Sequence, residues 1–286
     1  MELDKTIREN LDGDYLTIHV ENFKEGVEYA AQKKLQQIHL IGGRTKNVIV
    51  DFKELNKLSE TLQDISFIQD IGNVINFESI YNLKEMRKIY IHDKQKFTFD
   101  VSRFTKLQHL GGDYWNGLIN LDKAYSLTSL VICKYPFPNL VQFSALRNLE
   151  VLHIYGSKIQ NLDGVEKLSI RELSLARNNK LDDIHKINEV SSLENLEIEC
   201  CKKLLDFSFL KDNSYIEDLF IDKLDSIDFV ESMSNLKKIN FWNCKDGNMT
   251  TLLKSQSLED VNFYPNKRHY THTLKEIEEI RQKKDK

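Results

Sequence analysis

Three prolines, Pro136, Pro138 and Pro265, are too few for a Pro-rich linker anywhere in the 286 residues. The four cysteines, Cys133, Cys200, Cys201 and Cys244, are too few and too unevenly spaced for a disulfide framework or a zinc site. The adjacent pair Cys200–Cys201 is not a C-x-x-C motif, so reduced thiols in a reducing compartment are expected. No run approaches the roughly 20 apolar residues that span a bilayer. The opening MELDKTIRENLDGDYL lacks the apolar stretch of a signal peptide, and the closing EIEEIRQKKDK carries no lipidation motif. A cytoplasmic protein without a membrane partner is the expectation. A basic excess is also missing: 40 Lys and Arg against 44 Asp and Glu give a net charge of −4, which argues against nucleic acid as partner. The P-loop, G-x-G-x-x-G and G-x-S-x-G motifs are absent, so no cofactor is expected. With 41% hydrophobic and 29% charged residues, the chain has the balance of a soluble globular protein.

What the chain does have is a repeat. The pattern apolar-x-x-apolar-x-apolar begins at Leu35, Leu62, Met86, Leu107 (imperfectly, as LQHLGG), Leu127, Leu149, Ile170, Leu193, Ile216, Leu236 and Leu258. Successive starts lie 27, 24, 21, 20, 22, 21, 23, 23, 20 and 22 residues apart. One match would mean nothing, but eleven at near-constant spacing define a repeat architecture. Alternation along a strand points Leu196 and Ile198 one way and Glu197 the other. A lone strand cannot bury its apolar side, whereas stacked strands about 4.8 Å apart share a continuous core. Second apolar runs, Ile159, Leu162, Val165 and Leu168, then Leu204, Phe207, Phe209 and Leu210, close the coils opposite the strands. The spacing leaves room there only for short helices, 3₁₀ turns or extended segments.

The stretch LEVLHIYGSKIQNLDGVEKL at 149–168 resembles the bacterial internalin-type 22-residue leucine-rich repeat. The resemblance implies an α/β fold: a leucine-rich-repeat solenoid with a continuous parallel β-sheet on the concave face and short helices or turns on the convex face. It also implies protein recognition on the concave side. In that family an Asn or Cys after the strand hydrogen-bonds the turn. Asn178, Cys201, Cys244 and Asn266 match that position, whereas Gly43, Asp70, Lys94, Asp113, Tyr135, Ser157 and Leu224 depart from it.

Terminal coils need caps. Leu16, Ile18 and Val20 alternate as a strand, and Phe23, Val27, Ala30 and Ala31 follow at helical spacing, so residues 1–34 read as an N-terminal cap. Residues 35–266 hold about eleven units. Leu274, Ile277 and Ile280 mark a capping helix within 267–286.

The outward strand positions of the C-terminal half include Glu172, Glu197, Glu199, Asp218, Phe220, Asp222, Trp242 and Tyr264. Residues 159–235 hold 17 Asp and Glu against 9 Lys and Arg, a balance of −8. Solvent-facing aromatics beside carboxylates suit a protein partner with a basic surface. The expected function is therefore a non-catalytic protein-interaction module, monomeric when free. Its sharper form is an immunity or antitoxin-like protein masking a basic toxin. A regulatory scaffold, a surface adhesin and a thiol enzyme remain as alternatives. The enzyme would use His92, Asp113 and Cys133, which occupy equivalent positions in consecutive units. His269 and His272 have ligand-like spacing but no convincing third ligand, so no metal is expected.

Overall fold

The computed structural model describes residues 2–43 and 48–284, which form two compact units, 1–133 and 134–286. In the first unit come β1 (Ile7–Asn10), β2 (Gly13–His19), α1 (Phe23–Gln32), β3 (Gln37–Ile41), β4 (Ile49–Asp51), β5 (Asp64–Phe67) and β6 (Asn73–Ile75). They are followed by β7 (Lys88–Ile91), β8 (Phe99–Asp100), β9 (His109–Asp113), β10 (Leu118–Ile119) and β11 (Ser129–Cys133). Its main sheet runs β1-β2-β3-β5-β7-β9-β11, antiparallel at β1–β2 and parallel thereafter. The pairs β4–β6 and β8–β10 form short parallel ladders in the stretches that return between the main strands.

The second unit holds β12 (Val151–Tyr155), β13 (Glu172–Ala176), β14 (Asn195–Glu199), β15 (Asp218–Leu224), β16 (Lys238–Cys244), α2 (Thr251–Lys254), β17 (Asp260–Phe263) and α3 (Leu274–Lys284). Its six strands pair in parallel in chain order. Between them the chain returns through 3₁₀ turns such as Val165–Lys167, His185–Glu189 and Ser208–Leu210. These short returns are what a spacing near 22 residues allows.

The expected register holds. Leu152, Ile154, Leu173, Leu175, Leu196, Ile198, Leu219 and Ile221 are all buried. Leucine stacks on leucine because Leu152, Leu173, Leu196 and Leu219 are direct strand partners in sequence. Ile159, Leu162, Val165 and Leu168 are buried from the opposite side. Phe209 is only half-buried, its ring 4.4 Å from that of His185.

The turns after the strands are held by a ladder. The residue following the strand is left-handed in four coils: Lys134, Gly156, Arg177 and Cys200. The amides of Lys134, Gly156 and Arg177 each bond a carbonyl of the next coil, Tyr155, Ala176 and Glu199 respectively. Asn178 is fully buried; its amide donates to the Ile154 carbonyl (2.8 Å) and its oxygen accepts from the Ser157 amide (2.9 Å). The Cys201 thiol donates to the Leu175 carbonyl at 3.5 Å. Two positions differ from expectation. Ser157 takes part after all, its hydroxyl accepting from the Tyr135 amide and donating to the Tyr155 carbonyl. Asn266 serves the cap instead, accepting from the Leu274 amide at the start of α3. In the first unit the position falls one residue late, where buried Gln95 bonds the Gln69 and Asp93 carbonyls and the Ile71 amide.

Gly111 and Gly112 lie inside β9 rather than at a tight turn. Gly112 has φ +139°, and a Cβ there would meet the Ile91 carbonyl at 1.9 Å. A Cβ on Gly111 would strike the Tyr90 ring at 2.7 Å. The irregular LQHLGG unit thus reflects close approach of its neighbour.

Both caps form. Leu16, Ile18, Val20, Phe23, Val27 and Ala30 are buried, and β2 joins the sheet. Helix α3 starts on a Thr-x-x-Glu capping box: Glu276 accepts from the Thr273 amide (2.7 Å), and Thr273 Oγ1 accepts from the Glu276 amide (3.3 Å). Ile277 is its buried anchor.

Replacing Leu196 with Ala removes a side chain from the middle of the leucine stack. Stability measured by urea unfolding is expected to fall by about 2–5 kcal/mol.

Candidate partner-binding face

In the second unit, inward leucines and isoleucines send the intervening residues to the sheet's solvent face. Strict register sets them in three rows across β13 to β17. The first is Glu172, Asn195, Asp218, Lys238 and Asp260; the second is Ser174, Glu197, Phe220, Asn240 and Asn262. The third follows each strand two residues further on: Ala176, Glu199, Asp222, Trp242 and, just past β17, Tyr264. Seven of the candidate residues lie on the strands of this face, and Tyr264 follows the end of β17.

Their charge states of affairs differ by row. In the first, Asp218 pairs with Lys238 at 3.2 Å and Glu172 lies 2.6 Å from His153 Nε2. The Tyr155 hydroxyl donates to Ser174 Oγ (3.3 Å) and lies 3.1 Å from His153 Nδ1, while His153 Nε2 faces Glu172. In the second, Glu197 accepts from Ser174 Oγ at 3.0 Å. In the third, Glu199 and Asp222 sit on adjacent strands, and among the described residues neither forms an ion pair. The Cys200 thiol reports their field: burial, then Asp222 and Glu199, push its pKa up. His153, Tyr155 and Lys238 were not among the sequence candidates. Their role depends on which strand each carboxylate finally faces, which composition does not reveal.

Phe220 and Trp242 meet edge to face, centroids 5.3 Å apart at 72°. Trp242 is 45% exposed and Tyr264 76%, so Tyr264 stands in solvent rather than under the C-terminal cap. Two open depressions of about 290 and 460 Å³ share Glu197, Asp218 and Phe220 as walls. A larger cavity of about 680 Å³ lies at the C-terminal edge of this face, between Leu258, Asp260, Val261 and α3. There the Arg281 guanidinium bonds the Leu252 and Leu258 carbonyls, which makes it a seam of the cap.

The other candidates assemble less. Asp113 pairs with Cys133 in register, and His92 follows Ile91, the partner of Gly112, so Asp113 stands between imidazole and thiol. Their strands are two places apart, about 9–10 Å. His269 Nε2 lies 3.1 Å from the Cys244 carbonyl and His272 Nδ1 3.1 Å from Thr271 Oγ1. Among the described residues no group of three His, Cys, Asp or Glu is placed to hold a metal ion, and no helix is long and apolar enough to cross a membrane.

Among solved structures, the chain is similar to TLR13 in its complex with the single-stranded RNA ssRNA13, with a TM-score of 0.55 and 16% identity over 87% of this chain. The chain has the leucine-rich-repeat fold. It spans 38% of that TLR13 chain. Looser likenesses are to two internalins of Listeria monocytogenes. For inlF the TM-score is 0.48 and identity 13%, covering 84% of this chain and 77% of that one. For inlC2 the values are 0.39 and 17%, covering 85% and 92%. No family model and no curated protein matches the sequence.

The leucine-rich-repeat turns also set thiol reactivity. Burial pushes Cys201 up to about 11; burial and the hydrogen bond to Asp246 push Cys244 up to about 12. Neither thiol, nor that of Cys200, is in a disulfide. At pH 8 both buried thiols are protonated and shielded. Iodoacetamide treatment followed by mass spectrometry is expected to label Cys133 and Cys200 first, with Cys201 and Cys244 labelled only on unfolding.

Proposed function

We propose that this leucine-rich-repeat chain is a non-catalytic protein-interaction module that takes a basic protein on the solvent face of its second unit. One observation carries the reading: the partly exposed Phe220–Trp242 pair stands beside Glu199 and Asp222, two carboxylates that form no ion pair among the described residues. A partner supplying Lys or Arg to that row would satisfy both charges while covering the aromatic step. In its sharper form, the partner is a basic toxin or nuclease masked by this face, as an immunity protein would mask it. The thiols of Cys200, Cys201 and Cys244, none of them in a disulfide, suit a reducing compartment such as the cytoplasm.

One structurally similar protein is titled as a complex with single-stranded RNA. The carboxylate rows of this chain repel phosphate, which favours a protein over RNA here.

The test uses a partner recovered from the native cell. Trp242→Ala is expected to weaken binding by about 2 kcal/mol or more, mainly through faster dissociation. Glu197→Lys combined with Asp222→Lys is expected to slow association and flatten its dependence on salt. Unchanged affinity and salt dependence in these folded variants would overturn the reading, as would tighter binding of a single-stranded RNA than of the protein.

A further inference from the structure

The first unit treats its sheet face differently: part of it is roofed. β1 and β2 form an antiparallel hairpin joined by Leu11 and Asp12. The strand order is β2-β3-β5-β7, yet Asp12 forms an ion pair with Lys88, the first residue of β7. The contact therefore bridges three strand places, about 14 Å, across β3 and β5. Tyr15, Gln37, Asp64, Lys88 and His109 are successive partners in the row beneath.

Gln37, Asp64 and Ser66 point away from the apolar core, yet each is only 5% exposed. Both carboxyl oxygens of Asp64, and Oε1 of Gln37, are buried without a hydrogen-bond partner among the described residues. A carboxylate in that position is heavily penalised, whereas a protonated carboxyl is tolerated. Lys88 is the nearest source of compensating charge, and it is engaged by Asp12. The other titratable groups around the cluster are Tyr90 on β7, His39 on β3, which stacks on Tyr15 at 4.2 Å, and His109 on β9.

We propose that the β1–β2 turn is a proton-operated strap over the first unit's sheet face, with Asp64 as the group that releases it. With Asp64 protonated, the cluster of Asp12, Lys88 and Asp64 is neutral and the strap is latched by Asp12 and Lys88. Loss of the Asp64 proton to solvent leaves two carboxylates and one ammonium. The buried carboxylate then takes Lys88 or admits water, and the strap lifts to expose Gln37, Asp64 and Ser66.

The sign follows from linkage. Burial, opposed by Lys88 and reinforced by Asp12, raises Asp64 to about 7 in the closed state. Opening returns it to the ordinary carboxyl value of about 3.9, so opening releases a proton. The closed form is favoured at low pH and loses ground as pH rises through the interval, levelling above about 7. Between pH 5 and 7 the opening constant rises roughly 50-fold.

Hydrogen exchange of the full chain tests this, with amide rates of residues 7–13 corrected for their intrinsic pH dependence. Protection of the hairpin is expected to drop by about that factor from pH 5 to 7, while the core amides of β5 and β7 stay protected. Asp64→Asn, which keeps shape without a proton to lose, is expected to abolish the pH slope and keep the strap closed. Asp12→Ala, a change at an exposed turn, is expected to leave the hairpin open at every pH. Flat protection in the parent chain, a slope that survives in Asp64→Asn, or a hairpin still closed and pH-dependent in Asp12→Ala would each overturn the proposal. These residues lie outside the proposed partner face, so either reading can fail without the other.

Discussion

Leu152, Leu173, Leu196 and Leu219 are apolar side chains that no single coil can bury, and each lies directly on the next. Everything else in the second unit follows from keeping that stack in register. Parallel pairing fixes the outward residues in rows, the short return turns close the coils, and the left-handed residues with the Asn178–Ser157 contacts hold the turns at constant spacing. A slip of one residue would send every leucine to solvent and every carboxylate inward. Register is therefore a condition of the face as much as of the core.

The two units put the same scheme to different use. The first packs Phe52, Phe67, Phe77, Phe97 and Phe99 together, with ring separations such as 4.4 Å between Phe77 and Phe97. Trp115 joins them and donates to the Phe97 carbonyl at 3.1 Å. On its sheet face, Gln37, Asp64 and Ser66 are buried, and Asp12 of the β1–β2 turn pairs with Lys88 of β7. The second unit buries Phe241 against Phe263 in its core and also sets Phe220 and Trp242 on the sheet face, where Trp242 is 45% exposed.

Much of this was legible in the sequence, because a repeat imposes the same environment on equivalent positions. Leu173 and Leu175 could be placed inside, and Phe220 and Trp242 outside, from spacing alone. The turn positions were legible where Asn178 and Cys201 occupy them. Gln95 was hidden by a shift of one residue, and Gly111–Gly112 by a constraint from the neighbouring coil's carbonyl. The charge pattern was harder to read. Asp218 and Glu172 look like Asp222 in sequence, but Lys238 and His153 meet the first two across the sheet, whereas Asp222 forms no ion pair among the described residues. The strap was not legible at all, since it rests on a pair 76 residues apart.

In the proposed complex the third row of the second unit, not the acidity of the half-chain as a whole, receives the partner. Carboxyl footprinting with carbodiimide, with and without bound partner, reads this residue by residue. Glu199 and Asp222 are expected to become protected while Glu194 and Glu217, paired with Arg171 and Lys237 outside the three rows, keep their reactivity. Equal protection of all four, or protection of Glu194 and Glu217 with Glu199 and Asp222 unchanged, would contradict it.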